Sequence, residues 1–196
     1  LDNGRQVWGL ANIRKGFTLP GGDDVEGHLL ISHPHIWGKA LTIMFTPIRV
    51  VCNNTLTMAL NDAKSNQRFR MAHVTEFNDD MIGKVELALG LANTQLDTFK
   101  QQAGFLAKKK YKEPKVEEFI AHLYQPTVVM EKSKLDKFNR TAKTVHELIS
   151  TQPGAKMSEG TWWSTLNAVT YYVDHVSGND RNATLNSAWF GAKSVQ

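Results

Sequence analysis

The residues best suited to chemistry in this chain are cations set beside rings. Between Lys100 and Lys115 there are six lysines against one acid, Glu113, which concentrates a charge of +5 in a chain whose total is +4. The excess centres on KKKYK, where Tyr111 sits among Lys108, Lys109, Lys110 and Lys112. Lysines track phosphates as point charges, and an aromatic ring offers an unpaired base a face to stack on. The same run also suits a solvated helix end, because lysines favour the negative pole of the helix dipole. Trp8, Trp37 and Trp189 are further candidate rings, and Trp37 lies in a turn beside Lys39.

A second cation raises a different question. In FTPIRVVCNNTLTMAL, Phe45 to Leu60, an arginine interrupts an apolar strand that already holds a proline. Pro47 cannot donate to a ladder, so the run divides there at an edge, a bulge or a bend. Beyond it Arg49, Val51 and Asn53 share one face of the strand, and Ile48, Val50 and Cys52 the other. A charge flanked by core residues must be paired or serve a ligand, since an unpaired buried charge costs several kcal/mol. Asn53 or Asn54 then caps a helix Thr55 to Ala63, whose free N–H groups form an anion site near Arg49. Two readings stand: Arg49 meets a phosphate or carboxylate ligand, or it pairs with an internal acid while the asparagines merely cap.

Near the other end, TWWSTLNAVTYYVDH reads as a helix with an apolar stripe of Trp162, Leu166, Val169 and Val173. Beside it runs a polar line of Trp163, Asn167, Thr170 and Asp174, which suits a buried hydrogen-bond network better than a ligand contact. Asp174 and His175 point about 100° apart on a helix, so no relay between them is implied.

Other chemistries find little here. Cys52 is the single cysteine and reads as a buried, reduced thiol rather than a nucleophile. Only His33 and His35 offer close metal-ligand spacing, and no further ligand follows at a zinc-like distance, so no metal is expected. There is no Gly-rich phosphate loop and no local frame for an activated serine, so neither a cofactor nor a covalent step is expected. No apolar run approaches the ~18 residues that span a bilayer.

These groups need elements to position them. At 196 residues, 41% hydrophobic and 21% charged, the chain is long enough for one domain with a real core. Its front half holds β-rich runs in Gln6 to Ile13 and Val25 to His33, with LPGGDD as a turn signal between them, and alternating residues in the first part of Lys39 to Cys52 and in Gln67 to Val74. The last of these strands sets Arg68 and Arg70 on one basic face. Behind it, Met81 to Leu106 steps by three or four as a long amphipathic helix whose glycines allow a bend. Shorter helices follow from Pro114 to Leu123, Ser133 to Ile149 and Thr161 to His175, with Thr151 to Gly160 as the expected mobile connection. The expected fold is α+β: an antiparallel sheet of about four strands, built as β-hairpins and packed against the long helix and the C-terminal helices. Residues 1–110 form the strand-rich core with the long helix, and 111–196 a helical part of the same domain.

FTPIRVVCNNTLTMAL resembles the signature of a phage- and plasmid-associated family catalogued as a domain of unknown function. GRQVWGLANI, VEGHLLISH, GTWWSTLNAVTYYVDH and SAWFG fall in that family's order with similar spacing, so the resemblance covers nearly the whole chain. At the second hairpin the family carries an Asn-Ser-His-Asp-Gly type turn, whereas this chain reads SHPHIWGKA. More distantly, the family is similar to phage single-strand annealing proteins of the recombination-mediator superfamily. That resemblance implies homo-oligomeric rings or filaments that hold single-stranded DNA in a basic groove, without cofactor or bond-breaking, in the cytoplasm of a bacterial host. The phosphate contacts expected are Arg14, Lys15, Lys39, Arg49, Arg68, Arg70 and the lysine run, with Asn53 and Asn54 presenting the helix N-terminus. Two rival readings are a protein-interaction or anti-defence module of a mobile element, and an enzyme with a pocket around Arg49, Asn167, Asp174 and His175.

Overall fold

The computed structural model describes residues 6–35, 37–51, 54–55, 68–72, 79–124 and 132–177. Strands β1 (Gln6–Leu19) and β2 (Asp23–Pro34) form a hairpin, and β3 (Ala40–Arg49) pairs antiparallel with β2 from Val25↔Arg49 to Ser32↔Thr42. The far edge of β3 is shared. The two-residue β4 (Asn54–Thr55) pairs with Ile48 and Arg49, and β5 (Arg68–Ala72) pairs with Ala40 to Met44. This is the expected antiparallel sheet, with β1 at an edge that no strand covers among the described residues.

Tight turns explain the hairpin. Gly21 and Gly22 adopt φ of 96° and 84°, a region that glycine enters without strain, and Gly22 N–H donates to the Leu19 carbonyl at 3.1 Å. A Cβ on Gly21 would lie 2.0 Å from the Met157 carbonyl oxygen, so this turn is pressed against the C-terminal half. The expected division at Pro47 does not occur: β3 runs through it to Arg49, with Pro47 opposite Gly27. Among the described residues neither β4 nor β5 pairs with Phe45 to Pro47, so the missing N–H removes no bond on that edge.

Behind the sheet lies α1 (Asp79–Lys108), about 45 Å long at ~1.5 Å per residue. Its buried Ala92, Leu96, Phe99 and Ala103 recur at helical spacing and meet Phe17, Leu19, Val25, Leu29 and Phe45 of the sheet. Helices α2 (Glu113–Tyr124), α3 (Lys132–Thr151) and α4 (Trp162–Tyr171) enclose a second cluster of Val116, Ile120, Val145, Ile149, Ala168 and Val169. Each valine, isoleucine, leucine or phenylalanine among these stabilises the fold by about 1.5–3 kcal/mol when fully buried. Helix α4 belongs to both clusters, because Trp163 enters the first while Ala168 and Val169 enter the second.

The expected mobile connection, Thr151 to Gly160, is instead a built junction. It holds a short 3-10 turn, Ala155–Ser158, with Gln152, Ala155 and Ser158 buried. The Gln152 amide donates to the Ser164 carbonyl at 3.0 Å, which locks the junction to α4. The expected helix from Thr55 to Ala63 and the SAWFG segment lie outside the described residues, Thr55 itself excepted. No described helix is long and apolar enough to cross a membrane.

Candidate nucleic-acid interface

The lysine run leaves the end of α1 and bends into α2, and backbone bonds fix its path. Lys110 pairs with Thr161 as an isolated bridge: Tyr111 N–H donates to the Gly160 carbonyl at 3.2 Å, and Trp162 N–H to the Lys109 carbonyl at 3.0 Å. Thr161 then caps α4, its hydroxyl accepting from Ser164 N–H. Two chain-distant segments thus form one rim. Between them lies an open groove of about 720 Å³, lined by Lys109, Lys110, Tyr111, Lys112, Lys115, Glu118, Phe119, Ala121, His122 and Trp162.

Rings build the wall. Trp162 stands edge-on to Tyr111 at 6.3 Å and to Phe119 at 5.5 Å between ring centres, spacings at which aromatic pairs attract. Partial burial pushes the Tyr111 phenol up, the carboxylates of Glu113 and Glu159 add to this, and a hydrogen bond with Ser164 opposes it, so the ring is neutral at neutral pH. The cations differ in how they are held. Lys110 Nζ donates to the Glu159 carbonyl at 3.0 Å, Lys109 Nζ lies 5.2 Å from the Phe105 ring centre, and Lys115 pairs with Glu118 at 2.6 Å. The Lys112 ammonium has no partner among the described residues, while its carbonyl accepts from Lys115 N–H at 2.9 Å. Lys108 closes α1, where a cation meets the negative end of the helix dipole.

Arg49 lies elsewhere and does something else, and here the expected phosphate contact is corrected. Its side chain is fully buried. Nε donates to both carboxylate oxygens of Asp23 at 2.8 Å, and the two terminal nitrogens donate to the Pro153 and Gly154 carbonyls at 3.0 and 2.9 Å. Asp23 also accepts from the Trp163 indole at 2.7 Å. A charge taken out of water is tolerable only with such a full set of partners, and a guanidinium sealed this way presents nothing to a strand in solvent. Of the two readings of Arg49, its pairing with an internal acid is therefore the one that holds. Asn54, expected to cap a helix, pairs as part of β4 with Arg49 of β3, while Asn53 lies outside the described residues.

The polar line of α4 faces inward. Trp163, Asn167 and Thr170 are fully buried and Asp174 nearly so, whereas Trp162, Leu166 and Val173 of the apolar stripe are only half-buried. Local bonds make this possible: Asn167 Nδ2 donates to the Trp163 carbonyl at 2.8 Å and the Thr170 hydroxyl to the Asn167 carbonyl at 3.1 Å. The three residues of the expected architectural network, Trp163, Asn167 and Asp174, are thus all interior. His175, by contrast, is exposed and stacks on Tyr171 at 4.6 Å, so it shares no open pocket with the sealed Arg49.

The remaining cations scatter. Arg14 and Lys15 are exposed on β1, Lys39 precedes β3 beside a Trp37 that is 95% exposed, and Arg70 points outward from β5. The Arg68 side chain lies outside the described residues. Sequence reasoning placed Tyr111 and the lysine run through Lys115 but missed that Phe119, His122 and Trp162 complete the groove. Phe119 and His122 follow Lys115 at four and three residues, a single helix face that was open to reading. Asp23 was missed because GGDD reads as turn rather than as a partner for a distant arginine. Among the described residues no group of three or more His, Cys, Asp or Glu could hold a metal ion, and the His33 and His35 rings contact each other at 4.6 Å.

Compared with known proteins, the chain matches over residues 1–193 the family described as Domain of unknown function (DUF932). No curated protein and no solved structure matches.

Proposed function

The chain belongs to the DUF932 family, and from that premise we propose that it binds single-stranded DNA and promotes annealing of complementary strands for a phage or other mobile element in the cytoplasm of a bacterial host. The observation that carries this reading is the groove formed by the α1–α2 connection, α2 and the start of α4, where four lysines rim a wall of three rings. Lysines neutralise a backbone, rings stack unpaired bases at about 1–3 kcal/mol each, and neither needs a particular sequence. The mechanism is positional. A strand held by its phosphates keeps its base edges open, and pairing with a complement withdraws the bases from the rings and releases the duplex.

The reading includes self-association with a second copy. What supports it is the outer face of α1, where Leu87, Leu91 and Phe105 are 66%, 45% and 60% exposed and, with Thr94 and Thr98 between them, form a row without charge. Such a face meets its own copy without like-charge repulsion, on a chain of net charge +4.

Fluorescence-anisotropy titration of a labelled single strand across a salt series tests the binding. Four lysine contacts predict a log–log slope near −3, at about −0.7 per phosphate on a single strand. A chain that serves only as a protein-interaction module shows no salt-dependent affinity for any nucleic acid. Light scattering checks the second copy: Leu87→Glu with Leu91→Glu leaves a monomer where the wild type is larger.

A further inference from the structure

The lysine groove accounts for one basic site, but β1 carries another. Its pairing with β2 runs in register to Asn12↔His28 and resumes at Gly16↔Glu26, so three residues of β1, Ile13 to Lys15, stand opposite the single Gly27 of β2. The sequence on both strands builds this bulge. Gly27 leaves a gap that Ile13 fills, with Ile13 Cδ1 2.7 Å from where a Cβ would stand, and Gly16 approaches so closely that a Cβ would lie 2.5 Å from the Val25 carbonyl oxygen. Asn12 holds the turn, its Oδ1 accepting from Arg14 N–H at 2.6 Å while its Nδ2 donates to Glu26 at 2.8 Å.

With Ile13 drawn inward, Arg14 takes φ of 55°, the sole left-handed non-glycine among the described residues. Such a conformation is unfavourable for a long side chain and persists where surrounding structure imposes it, often at a site with a use. The consequence is geometrical. Neighbours in a regular strand point to opposite faces, yet Arg14 and Lys15 line the same groove of about 450 Å³, together with Asn12, Thr18, Asp24 and Glu26. Its two acids each accept from a neutral side chain: Glu26 from Asn12 at the bulge, and Asp24 from the Thr18 hydroxyl at 2.6 Å in the regular ladder beyond it. Arg14 and Lys15 form no ion pair among the described residues.

Both grooves flank one buried contact. Asp23, which accepts from the Trp163 indole, precedes Asp24 of the bulge groove, and Trp163 follows Trp162 of the lysine groove. We infer that the β1 bulge is a second phosphate subsite for the same bound strand, with Arg14 and Lys15 gripping the backbone beyond the segment held in the lysine groove. The Arg49–Asp23–Trp163 contact then acts as the spacer that fixes the distance between the two grips. This inference rests on the single-strand reading and adds to it a second grip and a minimum strand length.

The test uses Arg14→Gly combined with Lys15→Ser, and fluorescein-labelled oligothymidylates of about 4 and about 16 nucleotides, the range of single-strand site sizes. Glycine adopts the left-handed conformation freely, so the variant should keep or raise its melting temperature. For the longer strand, the salt slope should become shallower by about 0.7 for each phosphate that is no longer neutralised, and affinity should fall at low salt. For the shorter strand, held in the lysine groove, neither should change. Arg14→Asn with Lys15→Gln, which tolerates the same backbone, serves as the second variant and should behave alike. If both variants bind the longer strand as the wild type does, with an unchanged salt slope, the bulge is no phosphate subsite and the single-strand reading stands without it. Failure of the wild-type chain to bind either strand overturns both.

Discussion

Arg49 and the Lys109–Lys115 run are both basic, but the fold has put them to opposite uses. Arg49 is enclosed, with two carbonyls and an indole arranged around the pair it forms with the Asp23 carboxylate. The lysines stand at the rim of an open groove, and their partners are a backbone carbonyl, a ring and a surface carboxylate. A fork of five donors suits a site where every direction must be satisfied, whereas a flexible ammonium suits a site where the partner comes and goes. Cations count toward a polyanion site only after those with an inward carboxylate have been subtracted.

The strongest way to break this comparison is to open the enclosed site. Arg49→Met and Asp23→Ala should each lower stability by about 3–5 kcal/mol in urea unfolding, because the partner is left buried and unpaired. The double variant should lose less than the sum of the two. Single losses below about 1 kcal/mol would show that water reaches the pair, and the contrast with the lysines would vanish.

A ring in the groove gives the next effect. Trp162→Leu keeps an apolar side chain against Phe119 but removes the stacking face, and should weaken single-strand affinity by about 1–3 kcal/mol by anisotropy. Unchanged affinity would reassign Trp162 to packing alone.

Tyr124 sharpens the comparison on the enclosed side. Burial pushes its phenol up to about 12, with Tyr172 adding to it. The neutral form is favoured in the fold, so its contribution is complete below the ordinary value of 10.0 and is lost as pH rises from there toward about 12. The loss amounts to roughly 2 kcal/mol. Tyr124→Phe should flatten this alkaline decline in urea midpoint, and a decline of equal steepness in both proteins would assign it to other groups.

The smallest effect belongs to a single lysine. Lys112→Ala should leave stability within about 0.5 kcal/mol and make the salt slope shallower by about 0.7. A measurable loss of stability would mean that Lys112, too, belongs to the enclosed kind.

Strand alternation and helix spacing were readable for most of the fold because they are local. VEGHLLISH and the line from Ala92 to Ala103 reveal their faces without reference to the rest of the chain, whereas QVWGLANI forms its strand with Val7 and Leu10 left exposed. The orientation of α4 was not readable in this way: Asn167 and Thr170 count as polar by type, and their bonds to the helix's own carbonyls let them be interior residues beside Trp163, whose indole reaches Asp23. Arg49 was legible as a charge in need of a partner but not as one bound to Asp23, since the match depends on β2 pairing with β3 to bring Val25 beside it. The groove was half legible. KKKYK announced itself, while Trp162 joined it through a backbone bridge that no local pattern encodes.

The shape of β1 also bears on how the protein behaves in concentrated solution. At fourteen residues β1 is long for a border strand, and a straight ladder of that length would be a template on which a foreign chain could grow. The kink at Arg14 divides it into two short stretches with mismatched register, and two adjacent positive charges stand at the break. Edge-to-edge aggregation is thereby discouraged at its most vulnerable point.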